Sequence, residues 1–166
     1  MKTLAQGDTV LYGAHGCCCV DDIEQRDTGT YYVLRPVRKA NTKFLVPADN
    51  EELLAKIRPL PTPHALEQTI DAAAAAEVGW IEDVSVRRDT ARQVLNEGSE
   101  YDVLLLMREF SEHKRAAKAQ GKRPLTSDAS ILRAAKDHVR DEFSLVFGIE
   151  PEEVDRIIVE RGVLDE

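Results

Sequence analysis

The sequence predicts an α+β protein in which a small antiparallel β-barrel of the SH3 or Tudor type is followed by an all-α helical bundle. The first sixty residues contain short β-rich runs separated by turn residues, a pattern typical of small barrels. Three prolines within residues 59–63 then form a stiff, non-helical boundary. After this boundary, apolar residues recur at helical spacing. We therefore expect two domains, residues 1–60 and residues 61–166.

The barrel prediction begins with a hairpin near the N-terminus. Residues 8–12 alternate between polar and apolar side chains, and a second β-rich run follows at residues 17–20. The turn between the runs contains Gly13 and Gly16, and glycine suits a tight turn because it adopts a positive φ without cost.

Three further runs complete the predicted barrel. Dense β-branched and aromatic side chains, or extended character before a proline, indicate strands at residues 30–37, 43–46 and 53–58. The side chains expected in the core are Val10, Tyr12, Val20, Ile23, Tyr32, Leu34, Val46 and Ile57.

Five helices are predicted in the second domain. Thr62 is a suitable N-cap for the first helix, and Ser99 with Asp102 resembles a capping box for the third. The helices are expected to begin near residues 63, 83, 99, 127 and 151 and to end near residues 79, 96, 120, 148 and 162.

The charge balance restricts the partners that the chain can have. Its net charge is −8, and all of this excess lies in residues 61–166, because residues 1–60 carry 8 basic and 8 acidic groups. A protein this acidic does not bind DNA through bulk electrostatics, so any DNA contact must be local. We expect a protein partner to be the main source of affinity.

The remaining composition indicates a cytoplasmic protein. No run approaches the roughly 18 apolar residues of a membrane span, and the N-terminus has no signal core. The three consecutive cysteines at residues 17–19 are expected to be reduced thiols that pack as small hydrophobes. Neighbouring strand residues point to opposite faces, which argues against a metal site that joins them to His15.

No constellation of residues indicates catalysis. There is no P-loop or GxGxxG motif, and the four histidines are scattered without partners at metal spacing. We therefore expect no enzymatic activity, no cofactor and no metal.

Two features of the second domain could contact DNA. Trp80 is the only tryptophan, and it is either a core anchor or an exposed wedge that stacks on a base step. The segment at residues 108–123 has six basic and two acidic residues, so it is either a solvated helix face or a phosphate-contacting surface. The candidate DNA-binding residues are Trp80, Arg87, Arg88, Arg92, Lys114, Arg115 and Lys118.

Three segments, with Trp80 after the first predicted helix, carry a resemblance. They are GDTVLYGAHG at residues 7–16, YYVLRPV at residues 31–37 and FLVPADNEELLAKIRP at residues 44–59. Together they resemble the CarD family of bacterial transcription regulators, also called CdnL. The N-terminal module of that family is similar to the polymerase-interacting domain of transcription-repair coupling factors.

The resemblance implies a function without a cofactor. The N-terminal module would bind the lobe of the RNA polymerase β subunit, and the helical domain would contact promoter DNA at the upstream edge of the bubble without reading sequence. The open complex would then last longer. Arg26 and Leu45 fall at polymerase-contact positions. The second of these is basic in well-known members, and Lys43 could compensate because it lies on the same side of its strand. Trp80 matches the wedge.

Two hypotheses remain open at this point. The chain is either a transcription regulator that binds polymerase and DNA, or a Tudor-type adaptor that binds polymerase or another protein without DNA contact. Glu82 and Asp83 directly follow Trp80 and favour the adaptor, because phosphates would repel them. We expect a monomer in either case.

Overall fold

The computed structural model describes residues 3–39 and 41–165, and the chain divides into two compact units, Met1–Leu60 and Pro61–Glu166. The first unit is a β-sheet with a single 3-10 turn at Gly13–His15 and one short α-helix, and the second consists of helices. The predicted α+β class is therefore confirmed.

The sheet of the first unit has five antiparallel strands in the order β4-β3-β2-β1-β5. The strands are β1 (Thr9–Tyr12), β2 (Cys17–Arg26), β3 (Gly29–Pro36), β4 (Phe44–Pro47) and β5 (Ile57–Pro59), and helix α1 (Glu51–Leu54) lies between the last two. The hairpin turn between β1 and β2 has positive φ at Gly13 and Gly16, which is the reason for glycine at both positions.

The sheet is open, whereas the sequence predicted a closed barrel. β4 and β5 lie at opposite edges, and no ladder joins them within residues 3–39 and 41–165. Both edge strands end at a proline, which has no N–H to extend a ladder. The register of β2 shifts between Val20 and Asp22, and such a bulge bends a strand without closing the sheet.

The core of this sheet contains all eight predicted residues. Seven are buried, and Ile23 is partly buried against them. Cys18 is also in the core, fully buried, and burial together with the neighbouring Cys19 raises the pKa of its thiol to about 11. Cys18 therefore stays protonated at neutral pH and packs as a small apolar side chain.

The strand predicted at residues 53–58 is shorter than expected. The side chain of Asn50 accepts a hydrogen bond from the backbone N–H of Leu53, which starts α1. Leu53 and Leu54 are therefore helical and pack on the core, and the strand begins only at Ile57. The sequence did not reveal this, because a single helical turn has no periodicity of its own.

The helices of the second unit are α2 (Pro63–Ala75), α3 (Val84–Glu97), α4 (Glu100–Ala119), α5 (Thr126–Phe147) and α6 (Pro151–Glu160). Thr62 caps α2, and Ser99 and Asp102 form the predicted capping box of α4. α2 ends four residues before Gly79. The guanidinium of Arg108 donates hydrogen bonds of 2.6 Å to the carbonyls of Ala73 and Ala76 at this end.

The five helices enclose one apolar core. Its largest fully buried side chains are Phe143, Leu66, Ile70, Leu104 and Met107. The stripe predicted on α5 faces this core, with Leu132, Ala135, Val139 and Phe143 buried and with Ile131 and Val146 packed at its margin. The segment at residues 76–83, between α2 and α3, carries Trp80.

Candidate functional site

Two of the residues predicted to bind polymerase, Arg26 and Leu45, lie on one face of the sheet. Arg26 pairs with Gly29 and Val33 pairs with Leu45, so Arg26, Tyr31 and Leu45 have the same parity along their ladders. Side chains alternate along a strand, and these three therefore point away from the core that holds Tyr32 and Val46. The partners of Arg26 and Leu45 on β3 are four residues apart, which is about 13 Å along the strand direction, and β2 and β4 lie on opposite sides of β3.

The Arg26 side of this face is polar and accessible. Arg26 is exposed, and its guanidinium donates to Oε2 of Glu24 at 2.6 and 2.8 Å. The same guanidinium lies 5.5 Å from the centroid of the Tyr31 ring. These two contacts hold the positive charge at the surface, where an acidic or polar group of a partner can reach it.

The β4 side of the face combines an apolar side chain with a second positive charge. Leu45 is 41% exposed, on a strand that pairs with β3 along one edge only. Lys43 is exposed, and its charge helps to lower the pKa of Asp21, although the main cause is the hydrogen bond that Arg35 donates to that carboxylate. The structure thus brings Lys43 and Leu45 together at one sheet edge.

Trp80, in the segment between α2 and α3, is half-buried against α4, and three side chains contact its indole ring. His113 stacks on it, with ring centroids 3.6 Å apart and an interplanar angle of 5°. Phe110 meets it edge to face at 5.1 Å, and the guanidinium carbon of Arg87 lies 4.4 Å from its centroid. A stacked imidazole fills one face of the indole, so the guanidinium lies against the other. Trp80 is therefore a packed side chain with only part of its surface accessible.

Arg87 holds the segment that carries Trp80. Nε and Nη2 donate to the carboxylate of Asp128 on α5 at 3.1 and 2.9 Å. Nη1 donates to the carbonyls of Ile81 and Glu82 at 2.7 and 3.0 Å. Arg87 is only 4% exposed. This burial contradicts the phosphate contact that the sequence suggested for Arg87, and its charge serves an internal ion pair.

One of the two acids that follow Trp80, Asp83, has a local structural role. The side chain of Asp83 accepts a hydrogen bond from the N–H of Val86 and is the N-cap of α3. The backbone of Gly79 donates to the carboxylate of Glu109, whose pKa is nevertheless raised because burial and the neighbouring Glu112 outweigh this bond. The segment is thus fastened to α3, α4 and α5.

Arg88 and Arg92 are accessible on α3. Both are exposed, and as residues i and i+4 they lie on one side of the helix. Arg92 is 3.6 Å from the carboxylate of Asp89, and Arg88 has no ion pair among the residues that the structure describes. Arg88 follows directly after Arg87, which contacts Trp80, and Arg92 lies about one turn further along α3.

The structure separates the basic residues of α4 from Trp80. At 100° per residue, the mean direction of Phe110 and His113, which contact Trp80, lies roughly 120° around α4 from the mean direction of Lys114, Arg115 and Lys118. All three basic side chains are exposed, and they line a cleft shared with α5 and α6. Lys114, Arg115 and Lys118 therefore belong to this cleft, whereas Arg87 lies against Trp80.

A buried polar pair escaped the sequence analysis. Glu142 on α5 is 2% exposed, and its Oε2 lies 3.3 Å from Nε2 of His138. Burial is the main cause that raises the pKa of Glu142; His138 acts in the opposite direction, and the nearby Glu100 raises it further. Position 142 lies on the apolar side of α5, and this placement could have indicated in the sequence that Glu142 is buried.

The comparisons with known proteins concern the first unit. Residues 4–60 match the family model of the CarD-like/TRCF RID domain. This unit belongs to the CarD-like/TRCF RID family. The family assignment inferred from the sequence is thereby confirmed for this unit, and the domain indicates an RNA polymerase-interacting, transcription-related protein. No curated protein matches the chain.

The family also bears on the class of activity. The CarD-like/TRCF RID domain is an interaction domain and not a catalytic one. Among the described residues, no group of three or more His, Cys, Asp or Glu side chains could hold a metal ion. None of the described helices has the length and apolarity that crossing a bilayer requires.

Proposed function

We propose that this chain is a transcription regulator that binds the lobe of the RNA polymerase β subunit through its N-terminal unit and stabilises the promoter open complex through its helical unit. The observation that carries the proposal is the match of residues 4–60 to a polymerase-interacting domain. The exposed face with Arg26, Lys43 and Leu45 is the polymerase contact. It offers two positive charges and one apolar side chain to the partner.

The helical unit makes a weak DNA contact that depends on tethering. A unit with net charge −8 gains little from bulk electrostatics, but a tethered module acts at a high effective concentration. Trp80 provides an aromatic edge, and Arg88 and Arg92 provide the phosphate contacts at the upstream edge of the bubble. This contact reads no base sequence, because phosphates carry no sequence information. Arg87 positions Trp80 and does not touch DNA.

The polymerase contact is tested with the full chain and the isolated β lobe. Leu45→Asp places a charge in the apolar part of the face and is expected to weaken binding at least about tenfold. Leu145→Asp is the matched control, because Leu145 is 38% exposed and lies on α5 of the other unit. Arg26→Ala should weaken binding as well. If wild-type protein does not bind the lobe at micromolar concentration, the proposal is wrong.

The DNA contact is tested by the lifetime of the promoter open complex. Arg88→Ala with Arg92→Ala is expected to shorten the lifetime while lobe affinity stays unchanged. Arg156→Ala on α6 is the control, since this exposed arginine lies on another helix. Trp80→Ala should shorten the lifetime too. It should cost about 2–3 kcal/mol of stability, less than the about 3–5 kcal/mol of a fully buried aromatic residue, because Trp80 is half-buried.

The alternative function is a protein-interaction adaptor without DNA contact. It is favoured by the packing of Trp80 between His113 and Arg87 and by the separation of Lys114, Arg115 and Lys118 from it. Under this alternative, wild-type protein binds the lobe, but neither it nor the arginine variants change the lifetime of the open complex.

A further inference from the structure

A cleft of about 490 Å³ lies between α4, α5 and α6 of the helical unit. Its apolar floor consists of the buried side chains Met107, Leu132, Val139, Ile158 and Val163. The volume is within the range of about 300–1,000 Å³ that is typical of small-molecule sites. The cleft is large enough for a compact ligand.

The charges around this cleft do not cancel. Its three acidic residues are each paired with an arginine: Glu112 with Arg108 at 3.1 Å, Asp155 with Arg140 at 2.8 Å, and Asp165 with Arg115. The three lysines of the lining, Lys114, Lys118 and Lys136, have no ion pair among the described residues. A surplus of three positive charges therefore lines one concave site in a unit that is acidic as a whole.

The lysine on α5 lies deepest of the three. Lys136 is partly buried, whereas Lys114 and Lys118 are exposed. Burial lowers the pKa of Lys136, and the charges of Lys114 and Arg140 lower it further, although Asp155 acts in the opposite direction. A bound anion would offset this mutual repulsion, because an opposite charge nearby favours the charged ammonium.

We propose that this cleft binds a small molecule that carries one or more phosphate groups, held by Lys114, Lys118 and Lys136. Phosphate is the expected anion, since several lysines can donate charge-assisted hydrogen bonds to its oxygens. The apolar floor beneath the lysines suits an organic part of the ligand. This site goes beyond polymerase binding and does not depend on it. It gives Lys114 and Lys118 a role other than contact with the DNA backbone.

A duplex fits this cleft poorly. A backbone phosphate belongs to a convex, continuous strand and can reach exposed lysines at a rim. Lys136 is set back among buried apolar side chains, and a free phosphate group on a small molecule can reach it. The role of Lys136 therefore distinguishes a small ligand from DNA.

The test is calorimetric titration of the full chain with two probes, inorganic pyrophosphate and adenosine triphosphate, at constant ionic strength. Saturable binding with one site per chain is expected for at least one probe. Lys136→Gln should weaken it at least about tenfold, because it removes a charge-assisted hydrogen bond. Lys122→Gln is the matched control: Lys122 is exposed in the loop after α4 and does not line the cleft, so affinity should stay within about twofold of wild type.

A second readout separates ligand binding from folding. Without ligand, Lys136→Gln should leave the melting temperature unchanged or raise it, because the buried charge is unfavourable. With the probe present, the variant should lose the thermal stabilisation that wild type gains. Should the variant fold poorly, Lys118→Gln is the replacement, since its side chain is exposed.

Three results would overturn the inference. The first is that neither probe binds at millimolar concentration. The second is an equal loss of affinity in the cleft variant and in Lys122→Gln, which would indicate unspecific charge attraction. The third is that Lys136→Gln weakens binding of a short DNA duplex but not of either probe, so that the lysines serve the DNA backbone. Lobe binding is measured separately, and none of these results affects it.

Discussion

Replacement of Arg87 by methionine should strongly destabilise the helical unit. The side chains of Arg87 and Asp128 are only 5% and 6% exposed. Arg87→Met keeps much of the apolar stem but removes the guanidinium, so a buried carboxylate loses its partner. Two further acceptors, the carbonyls of Ile81 and Glu82, lose their donor as well.

The expected cost is about 3–5 kcal/mol, the usual penalty for removing one partner of a buried ion pair. The loss of the guanidinium from the Trp80 ring would add about 0.5–1 kcal/mol. The double variant Arg87→Met with Asp128→Leu removes both charges. It should recover most of the loss, since replacing both partners of such a pair with apolar groups is often close to neutral.

Urea unfolding, followed by tryptophan fluorescence, measures this effect. Trp80 is the only tryptophan and contacts Arg87, so its emission reports on this unit. Arg92→Met is the matched control on the same helix, and its exposed side chain should change stability by no more than about 0.5 kcal/mol. A loss below about 1 kcal/mol for Arg87→Met, or a double variant as unstable as the single one, would refute the reasoning.

Two further predictions concern the helical unit. The pKa of Glu142 is raised above 4.5, chiefly by burial, so its contribution to stability is complete below that pH and is lost as the pH rises through the folded-state pKa. Glu142→Gln should therefore raise the free energy of unfolding at pH 7 by at least about 1 kcal/mol, seen as a higher melting temperature, and should have little effect near pH 4. An equal gain at both pH values would contradict this. Gly98→Ala would place its Cβ 2.5 Å from the carbonyl oxygen of Val94 and should cost about 1–3 kcal/mol in urea unfolding. Gly79→Ala meets no atom within 4 Å and is the control; similar losses in both variants would show that the contact is not the cause.

Much of the fold followed from local chemistry. The capping box of Ser99 and Asp102, the N-cap Thr62 and the left-handed Gly148 at the end of α5 act through neighbouring backbone groups, so they were visible in the sequence. The eight core residues of the sheet followed from alternation along the strands. The polymerase-interacting family followed from residues that lie close together along the chain.

The arrangement of the candidate site needed the tertiary structure. The basic residues of α3 and α4 form two runs in the sequence, but their directions depend on how each helix packs. Arg87 is buried because it faces Asp128, which lies 41 residues away. Lys114 and Lys118 line the cleft with α5 and α6, whereas Phe110 and His113 of the same helix contact Trp80.

The sequence by itself determined the α+β class, the bounds of the helices to within a few residues, the sheet core and the family of the N-terminal unit. These depend on periodicity, capping and local motifs, which act over a few residues. Only the tertiary structure decided that the sheet is open, that Arg87 is an internal anchor, and that three lysines meet over an apolar floor. Those features arise from contacts between elements distant in the chain, and charge or burial at such contacts depends on the partner that packing supplies.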